Sequence, residues 1–351
     1  MIQLGQALFF DKILSGNKDI GCSTCHNPVY HTTDKLMLSI GTGGHRPGGG
    51  RQLGTGSFTV RHSTDLFGVG EPEWRTLMWD GRIEQSGQGF STPLGAALPA
   101  GLSGILAAQA LLPMTTRIEM RGRGSDDLGS LPDGAPTLVF AAILARLRAI
   151  PGYDTLFAAA YPAIPRDSIA MANVANAIAA FIADRWSATN TPFDNYLRGD
   201  TTALTSASLN GAVLFFGRAG CAACHRGALL TDQRFHNTGV PVLGPGLAPG
   251  MPDIGRGAVT GDPADQFRFR TPSLRNVFLT APYMHNGSFQ TLEAVVRHYR
   301  DARQSLRSFD GTGLDPRLAP TLDLSPRTVD AVLATLDGRL NNGPTLSERD
   351  V

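Results

Sequence analysis

Apolar residues recur at helical spacing in several segments of the chain, separated by long stretches without a period. This spacing predicts three helices, at residues 3–14, 101–112 and 135–149. A longer amphipathic run covers residues 166–186 and is predicted to start at Asp167 or Ser168, which are favourable N-cap residues. Residues 32–70 are rich in glycine and aperiodic, so we expect a loop there. The pattern predicts a mainly α-helical fold with long loops and few short strands.

The same order of elements occurs twice. The helix at residues 3–14 is followed by Gly21 and the sequence CSTCH, and a helix from Ser206 to Gly220 leads directly into CAACH. A length of 351 residues also exceeds what one ordinary core holds. We therefore expect two domains, residues 1–165 and 166–351, with a C-terminal tail that could pack back on the first domain.

Composition narrows the class of protein. Hydrophobic residues make up 42% of the chain, which is enough for two cores, and charged residues only 17%. The net charge is +1 and the basic residues are scattered, so no nucleic-acid partner is expected. No apolar run reaches the length of a membrane span. We therefore expect that the chain does not bind nucleic acid and does not cross a membrane.

All four cysteines lie in two copies of the motif C-x-x-C-H, which attaches c-type haem. The residues are Cys22, Cys25 and His26 in the first copy, and Cys221, Cys224 and His225 in the second. Two thiols one helical turn apart reach the two vinyl groups of one porphyrin, and the adjacent histidine binds the iron. The motifs predict two covalently bound c-type haems, one in each domain.

Other uses of these cysteines fit less well. A redox dithiol does not need the trailing histidine, and zinc ribbons place their C-x-x-C pairs roughly 15–20 residues apart rather than in separate halves of a chain. Covalent haem attachment takes place on the oxidising side of a membrane, so we expect a periplasmic protein. The chain opens with MIQLGQALFF, which lacks a secretory signal, and we expect upstream residues to have been removed or lost.

Several segments together resemble the bacterial di-haem cytochrome c peroxidase superfamily, which includes MauG-like and MbnH-like enzymes. They are LGQALFFDKILSG, CSTCHNP, LMWDGRIE, LTDQRFHNTGV and FRTPSLRNVFLTAPYMHNGSFQTLEAVV. The resemblance runs in order from residue 3 to about residue 305. It implies two cytochrome c-like domains, a peroxide-binding haem ligated by His26 and an electron-storing haem ligated by His225.

The resemblance also assigns a distal pocket at the first haem. Glu119 matches the acid–base glutamate of the family, Gln109 the accompanying glutamine and Pro113 a pocket-lining proline. Trp79 matches the tryptophan between the two haems, which can relay electrons. Away from the resemblance, Glu119 would be interpreted as a solvated carboxylate and Trp79 as a core residue.

Two further sites of the family are less well matched. The family binds calcium through an asparagine and two backbone carbonyls; Thr280 and Pro282 match the carbonyl donors, but His62 stands at the asparagine position, and imidazole is a poor calcium ligand. Calcium therefore stays an open expectation. His45 lies roughly where some members have a mobile distal histidine, yet its loop differs, and an exposed loop histidine is the simpler interpretation.

The stretch VVRHYRDARQ holds the sixth ligand of the second haem in the family. Counted from Gly287, that position is Tyr299, and His298 would then point away because adjacent helical residues differ by about 100°. Peroxidases of the conventional type have methionine there, whereas MauG-type enzymes have tyrosine, an anionic ligand that favours higher oxidation states. The alternative for Tyr299 is an ordinary aromatic residue at a helix surface.

Three functions follow from these observations. The first is a MauG/MbnH-like peroxidase that reacts with hydrogen peroxide and oxidises an external donor, which could be a protein side chain. The second is a conventional peroxidase supplied with electrons by a small redox protein. The third is a di-haem electron carrier without chemistry of its own, for which Glu119 and Gln109 would be accidental.

Overall fold

Helices dominate the computed structural model, which describes residues 1–87, 89–124, 127–341, 343, 346, 347 and 350. Strands within these residues are few and short. The mainly helical fold expected from the sequence is therefore confirmed. No helix of the described ranges is long and apolar enough to span a bilayer. The chain forms two compact units, Met1–Met78 with Arg82–Ser187 and Trp79–Gly81 with Ala188–Val351.

The first unit is built around a pair of packed helices. Its helices are α1 (Ile2–Phe10), α2 (Cys22–Cys25), α3 (Ile105–Thr115), α4 (Pro136–Arg148), α5 (Pro151–Ala160) and α6 (Met171–Arg185). Helix α1 lies so close to α6 that a Cβ on Gly5 would overlap the carbonyl of Ala177. Beside this contact the ring of Phe9 packs 5.4 Å from Phe181 and 5.2 Å from Trp186, centroid to centroid. These apolar rings explain why α6 belongs with the N-terminal helix.

A small antiparallel sheet completes the first unit. It consists of β1 (Thr76–Leu77), β2 (Ile83–Ser86) and β3 (Gly89–Ser91) in the order β1-β2-β3. Leu77 pairs with Ile83, and both side chains are buried. The loop predicted over residues 32–70 contains isolated bridges, such as Ile40 with Phe58, and no strand or α-helix among its described residues.

The second unit has its own core. Its helices are α7 (Pro192–Leu197), α8 (Ser206–Phe216), α9 (Gly257–Thr260), α10 (Leu292–Arg300), α11 (Ala302–Arg307) and α12 (Pro326–Ala334). The two strands β4 (Phe235–His236) and β5 (Phe269–Arg270) pair antiparallel. Ala302, Leu306, Val332 and Leu333 form a buried cluster that joins α11 to α12. The C-terminal helix thus packs within its own unit.

Two expectations about boundaries differ from the structure. The units divide between Ser187 and Ala188 rather than at residue 165, because α6 packs on α1. Helix α6 begins at Met171, after a short 3-10 turn at Arg166–Ser168, and neither Asp167 nor Ser168 caps it. Instead the Asn173 side chain accepts a hydrogen bond of 2.9 Å from the Ala170 amide. This bond fixes the start of the helix at Met171, three residues after Ser168.

Candidate functional site

The CSTCH motif lies in the first unit as one short helical turn. The Gly21 amide donates to Thr24 Oγ1 at 3.1 Å, and the His26 amide donates to the Cys22 carbonyl at 2.9 Å. This turn brings both cysteines and the histidine together, as haem attachment requires. Neither Cys22 nor Cys25 forms a disulfide. Burial raises the pKa of Cys22 to about 12, so both sulfurs stay thiols until they react.

The ring of His26 is oriented by its Nδ1 atom. Nδ1 donates to the Thr32 carbonyl at 3.3 Å, which fixes the tautomer with the lone pair on Nε2. Thr32 has a left-handed backbone, with φ of 63°, and turns its carbonyl toward the histidine. Burial lowers the pKa of His26, so the imidazole is neutral at pH 7, the form that binds iron.

Glu119 is held in place through its backbone. It lies in a five-residue π-helical turn, Arg117–Arg121, directly after α3. The Thr42 amide donates to the Glu119 carbonyl at 2.7 Å, and Gly41 lies so close that a Cβ there would overlap the carbonyl of Ile118. The glycine-rich loop therefore fixes the turn that carries Glu119.

The Glu119 carboxyl is half-buried near the first motif. Burial raises the pKa of Glu119, while the positive charges of Arg82 and then Arg61 lower it. Burial also raises the pKa of the Cys25 thiol, and the negative charge of Glu119 is among the further causes. The carboxyl is thus within electrostatic reach of both arginines and of a haem-attachment cysteine. The sequence did not identify Arg61, because only the neighbouring His62 is matched to a position of the family.

Gln109 and Pro113 lie on α3, one helical turn apart and both half-buried. Gln109 Nε2 makes a long contact of 3.9 Å with Met78 Sδ. No other polar contact of Gln109 is described, and its role as a pocket residue stays a prediction. Pro113 lacks an amide hydrogen and cannot donate within the helix.

The CAACH motif in the second unit repeats the same local geometry. The His225 amide donates to the Cys221 carbonyl at 2.9 Å, and His225 Nδ1 donates to the Leu230 carbonyl at 3.0 Å. Leu230 has φ of 52°, so a left-handed residue again presents the accepting carbonyl. Burial lowers the pKa of His225, and neither Cys221 nor Cys224 is in a disulfide.

The neighbours His298 and Tyr299 have different surroundings. His298 is 1% exposed; its Nε2 donates to the Thr238 carbonyl at 2.7 Å, and its Nδ1 lies 2.9 Å from Ser305 Oγ. Both ring nitrogens of His298 are therefore used within the protein. Burial raises the pKa of Tyr299 to about 12, and the cysteines of CAACH add to this shift. Tyr299 is the residue of the pair within electrostatic reach of the second motif.

Trp79 belongs to the second unit, although the residues on both sides of Trp79–Gly81 belong to the first. Its carbonyl accepts a hydrogen bond of 2.7 Å from the Arg270 amide. The indole lies edge-on to His285, with ring centroids 6.4 Å apart, and His285 stacks on Phe269 at 3.5 Å. The half-buried Trp79 therefore continues a stack of aromatic rings in that unit.

The residues expected at a calcium site are divided between the two units. His62 is buried in the first, where its Nδ1 donates to the Leu36 carbonyl at 3.0 Å. Thr280 and Pro282 belong to the second. Calcium binding stays a prediction. His45 is exposed at the tip of its loop, paired through its backbone with Gln52.

A cluster beside the second motif was not expected from the sequence. Ligand atoms of Cys224, Asp232 and His236 lie within 4.8 Å of one another. His236 donates to Asp337 at 2.6 Å and to Asp232 at 3.1 Å. A metal ion here would need the Cys224 sulfur as a thiolate, whereas haem attachment would use that sulfur in a thioether. The two uses exclude each other, and only haem attachment also employs Cys221 and the oriented His225.

The residues present fit a covalently bound haem in each unit. Each motif offers two cysteines outside any disulfide and a neutral histidine whose Nδ1 is committed to a backbone carbonyl. A mostly helical chain with such sites belongs to the class of c-type haem proteins. Comparison with known proteins identifies the family within this class.

A family model described as di-haem cytochrome c peroxidase matches residues 1–202. The cytochrome-c peroxidase IdrP2 of Pseudomonas sp. (strain SCT) is 30% identical over 359 residues, which cover 96% of this chain and 81% of that protein. Methylamine utilization protein MauG of Methylorubrum extorquens is 33% identical over 301 residues, covering 85% and 68%. A solved structure of a MauG-like protein associated with microbial copper homeostasis is 30% identical, with a TM-score of 0.61 over 100% of this chain and 92% of that chain.

The chain therefore belongs to the di-haem cytochrome c peroxidase family, a family of oxidoreductases that carry c-type haem. The resemblance to this family and the assignment to an enzyme class are confirmed. Membership implies hydrogen peroxide as a reactant and a redox partner or protein substrate as the source of electrons. Identity near 30% does not define which donor is used.

Proposed function

We propose that this chain is a MauG-like di-haem peroxidase. It reduces hydrogen peroxide at the haem of CSTCH and takes the electrons from an external protein by way of the haem of CAACH. The observation that carries the proposal is the half-buried carboxyl of Glu119, within electrostatic reach of Cys25 in the same unit. An electron carrier without chemistry of its own would not need a carboxyl there.

Haem iron bound at His26 would supply the redox chemistry toward peroxide. Reduction of one hydrogen peroxide to two waters consumes two electrons and two protons. The Glu119 carboxylate takes the proton from the inner peroxide oxygen and returns it to the outer oxygen as the O–O bond breaks. Gln109 donates a hydrogen bond to peroxide from its amide, and Pro113 closes the pocket with an apolar wall. The positive charges of Arg82 and Arg61 lower the pKa of Glu119 against the effect of burial and so favour its ionised form.

Tyr299 is proposed to hold the iron of the second haem together with His225. Support comes from the two cysteines of CAACH, which act on the pKa of Tyr299, and from His298, whose ring nitrogens are already used. A phenolate ligand favours the oxidised iron and makes ordinary cytochromes poor donors. We therefore propose an oxidisable side chain of a partner protein as the donor, with Trp79 as the electron relay.

The site of action proposed for the protein is the periplasm, because c-type haem is attached on the oxidising side of the membrane. Calcium binding remains a prediction at Thr280 and Pro282. His62 donates from Nδ1 to the Leu36 carbonyl, and neutral imidazole is a poor calcium ligand, so His62 is not proposed as a ligand.

The decisive experiment adds one equivalent of hydrogen peroxide to the fully ferric, haem-loaded protein and follows the visible and near-infrared spectrum. The proposal expects a fast change without prior reduction. A reaction only after one haem is reduced would instead identify a conventional peroxidase, and no reaction in either state would identify an electron carrier.

Glu119→Gln tests the acid–base role in the same assay. We expect the second-order rate constant to fall by about 10²–10⁴-fold. Glu293→Gln, at an exposed position on α10, is the matched control and should retain the parent rate. An unchanged rate in Glu119→Gln would refute the assignment of the base.

A further inference from the structure

We propose that a cavity in the first unit is the entry through which hydrogen peroxide reaches Glu119. The cavity has a volume of about 210 Å³. Its floor includes the buried residues Leu94, Leu112 and Val139, and its rim includes the exposed residues Pro93 and Gly134. A buried floor under an exposed rim describes an opening from solvent toward the interior. Only the identity of the small molecule rests on the proposed function.

The cavity wall is continuous with the turn that carries Glu119. Thr116, directly before this turn, and Arg121, its last residue, both line the cavity. The amides of Glu119 and Arg121 each lie 3.1 Å from the Thr116 carbonyl, which accepts from both. Glu119 is therefore one short turn of backbone away from the wall, on a segment fixed at both ends.

Arg82 connects the cavity with the carboxyl. Its side chain lines the cavity, and its positive charge acts on the pKa of Glu119. Glu119 in turn acts on Cys25, which would attach the haem. Arg82 thus lines the cavity and acts electrostatically on Glu119, which acts in the same way on Cys25, and this order gives the direction of the proposed entry.

The lining suits a small, neutral, polar molecule. Drug-sized ligands occupy pockets of roughly 300–1,000 Å³, so a cavity of about 210 Å³ admits only smaller molecules. The Arg121 guanidinium is already used by the Leu131 and Pro132 carbonyls and by Asp133 at 3.0 Å. The charge of Arg121 is compensated within the protein, and the charge of the second lining arginine, Arg82, acts on the Glu119 carboxyl, so neither arginine requires an anion in the cavity. The Thr115 and Thr116 hydroxyls both donate to the Leu112 carbonyl, and each oxygen can still accept a hydrogen bond.

The test narrows the cavity and measures ligand entry. Ala135→Phe and Thr115→Phe add a ring from two different walls. Ala135 makes no side-chain capping hydrogen bond at the start of α4, so its replacement leaves the helix cap unchanged. Ala141→Phe places the same ring on the exposed face of α4 and is the matched control. Each haem-loaded variant is mixed with cyanide, a small ligand whose binding needs neither Glu119 nor turnover.

In Ala135→Phe and Thr115→Phe we expect the cyanide association and dissociation rate constants to fall together, by about tenfold, with an unchanged dissociation constant. A barrier to entry slows both directions equally, whereas a distorted iron pocket changes the affinity. The hydrogen peroxide rate constant should fall by a similar factor, and that of tert-butyl hydroperoxide by more. Ala141→Phe should match the parent protein.

Cyanide rate constants equal to those of the parent protein in both variants would contradict the proposed entry. A changed dissociation constant with an unchanged association rate constant would contradict it as well. The outcome is separable from that of the proposed function. If the parent protein does not react with peroxide but cyanide binds more slowly to the cavity variants, the proposed entry is supported and the proposed peroxidase function is refuted. If Glu119→Gln is inactive and the cavity variants bind cyanide at the parent rate, the proposed peroxidase function is supported and the proposed entry is refuted.

Discussion

His298 and Tyr299 are consecutive residues of α10 whose rings lie 5.7 Å apart and 65° from parallel. His298 binds the Thr238 carbonyl and faces Ser305, whereas burial and, to a lesser extent, Cys224 and Cys221 raise the pKa of Tyr299. His298 therefore holds α10 in its unit, and Tyr299 is the proposed ligand of the second haem.

Replacing Tyr299 tests the ligand directly. Tyr299→Phe should leave the second iron five-coordinate or bound to water, and should abolish the tyrosinate charge-transfer band of the ferric protein. Tyr299→Met should restore a neutral, soft ligand and raise the reduction potential of that haem, because thioether ligation favours ferrous iron. Electronic spectra and a potentiometric titration measure both effects. A Tyr299→Phe spectrum identical to that of the parent would contradict the ligand assignment.

His298→Gln is the matched variant at the neighbouring position. Loss of a buried ring with two hydrogen bonds should lower the free energy of unfolding by about 1–3 kcal/mol. The ferric spectrum of the folded holoprotein should stay that of the parent. If His298→Gln instead changed the iron ligation, the roles of the two residues would be reversed.

The sequence predicts the chemistry of the candidate site better than its surroundings. The two C-x-x-C-H motifs place cysteines and histidines by local spacing alone, and the structure keeps each set on one short turn. Tyr299 is preferred to His298 through the resemblance to the family, and the turn of about 100° for each helical residue only adds that His298 points in another direction. Short-range geometry of this kind is readable from a single chain.

Long-range relations are not readable in this way. The charge of Arg61 acts on Glu119 from a loop far away in sequence, and Gly41 fixes the Glu119 turn by close backbone approach. The start of α6 depends on the Asn173 side chain, and its place in the first unit depends on packing against Phe9. These features depend on tertiary contacts, which leave no local pattern in the sequence.

The pH dependence of the peroxide reaction should report on Glu119. Burial raises the pKa of Glu119 above 4.5, and the rate should fall as the pH is lowered through that raised value, because the carboxylate is the proton acceptor. Arg82→Met removes a positive charge that lowers the pKa, so the acid limb of the rate profile should move to higher pH. Arg82→Lys keeps the positive charge and should leave the acid limb near its position in the parent protein. Stopped-flow rates across the pH range measure the shift.

Two controls accompany that profile. Glu119→Gln should abolish the acid limb, since the amide does not titrate. Arg327→Met removes an exposed arginine of α12 and should leave the limb where it is. An acid limb that stayed fixed in Arg82→Met, or moved to lower pH, would contradict the proximity of Arg82 to the base.

Gly41→Ala tests how the Glu119 turn is positioned. The added methyl group would overlap the carbonyls of Ile118 and Glu119, so the turn must shift. We expect the peroxide rate constant to fall by about 10-fold or more, as misplacement of a catalytic group by about 1 Å can cost up to 10²-fold. Gly152→Ala in α5 has no atom within 4 Å of the new Cβ and should keep the parent rate. Equal rates in the two variants would show that the Gly41 contact does not position Glu119.

His62 should make the folded protein less stable in mild acid. Burial lowers the pKa of His62 to about 4, and the positive charge of Lys35 adds to this shift, so the unfolded chain takes up a proton first. The contribution of His62 to stability is complete above pH 6.5 and decreases on the order of 3 kcal/mol as the pH falls toward 4. His298, whose pKa burial also lowers to about 4, contributes in the same direction.

Urea unfolding of the holoprotein measures how the free energy of unfolding depends on pH. Values of roughly pH 7.5, 5.5 and 4.5 span the titration range of histidine. His62→Gln cannot titrate, and its amide can still donate to the Leu36 carbonyl. We expect this variant to lose only the part of the acid-dependent decrease that His62 contributes, since His298 and the histidines of the two motifs remain. His31→Gln, at an exposed position, should follow the parent curve. If His62→Gln also followed the parent curve, His62 would have to gain its proton in the folded protein as easily as in the unfolded chain, and its buried contact with Leu36 would not be maintained in solution.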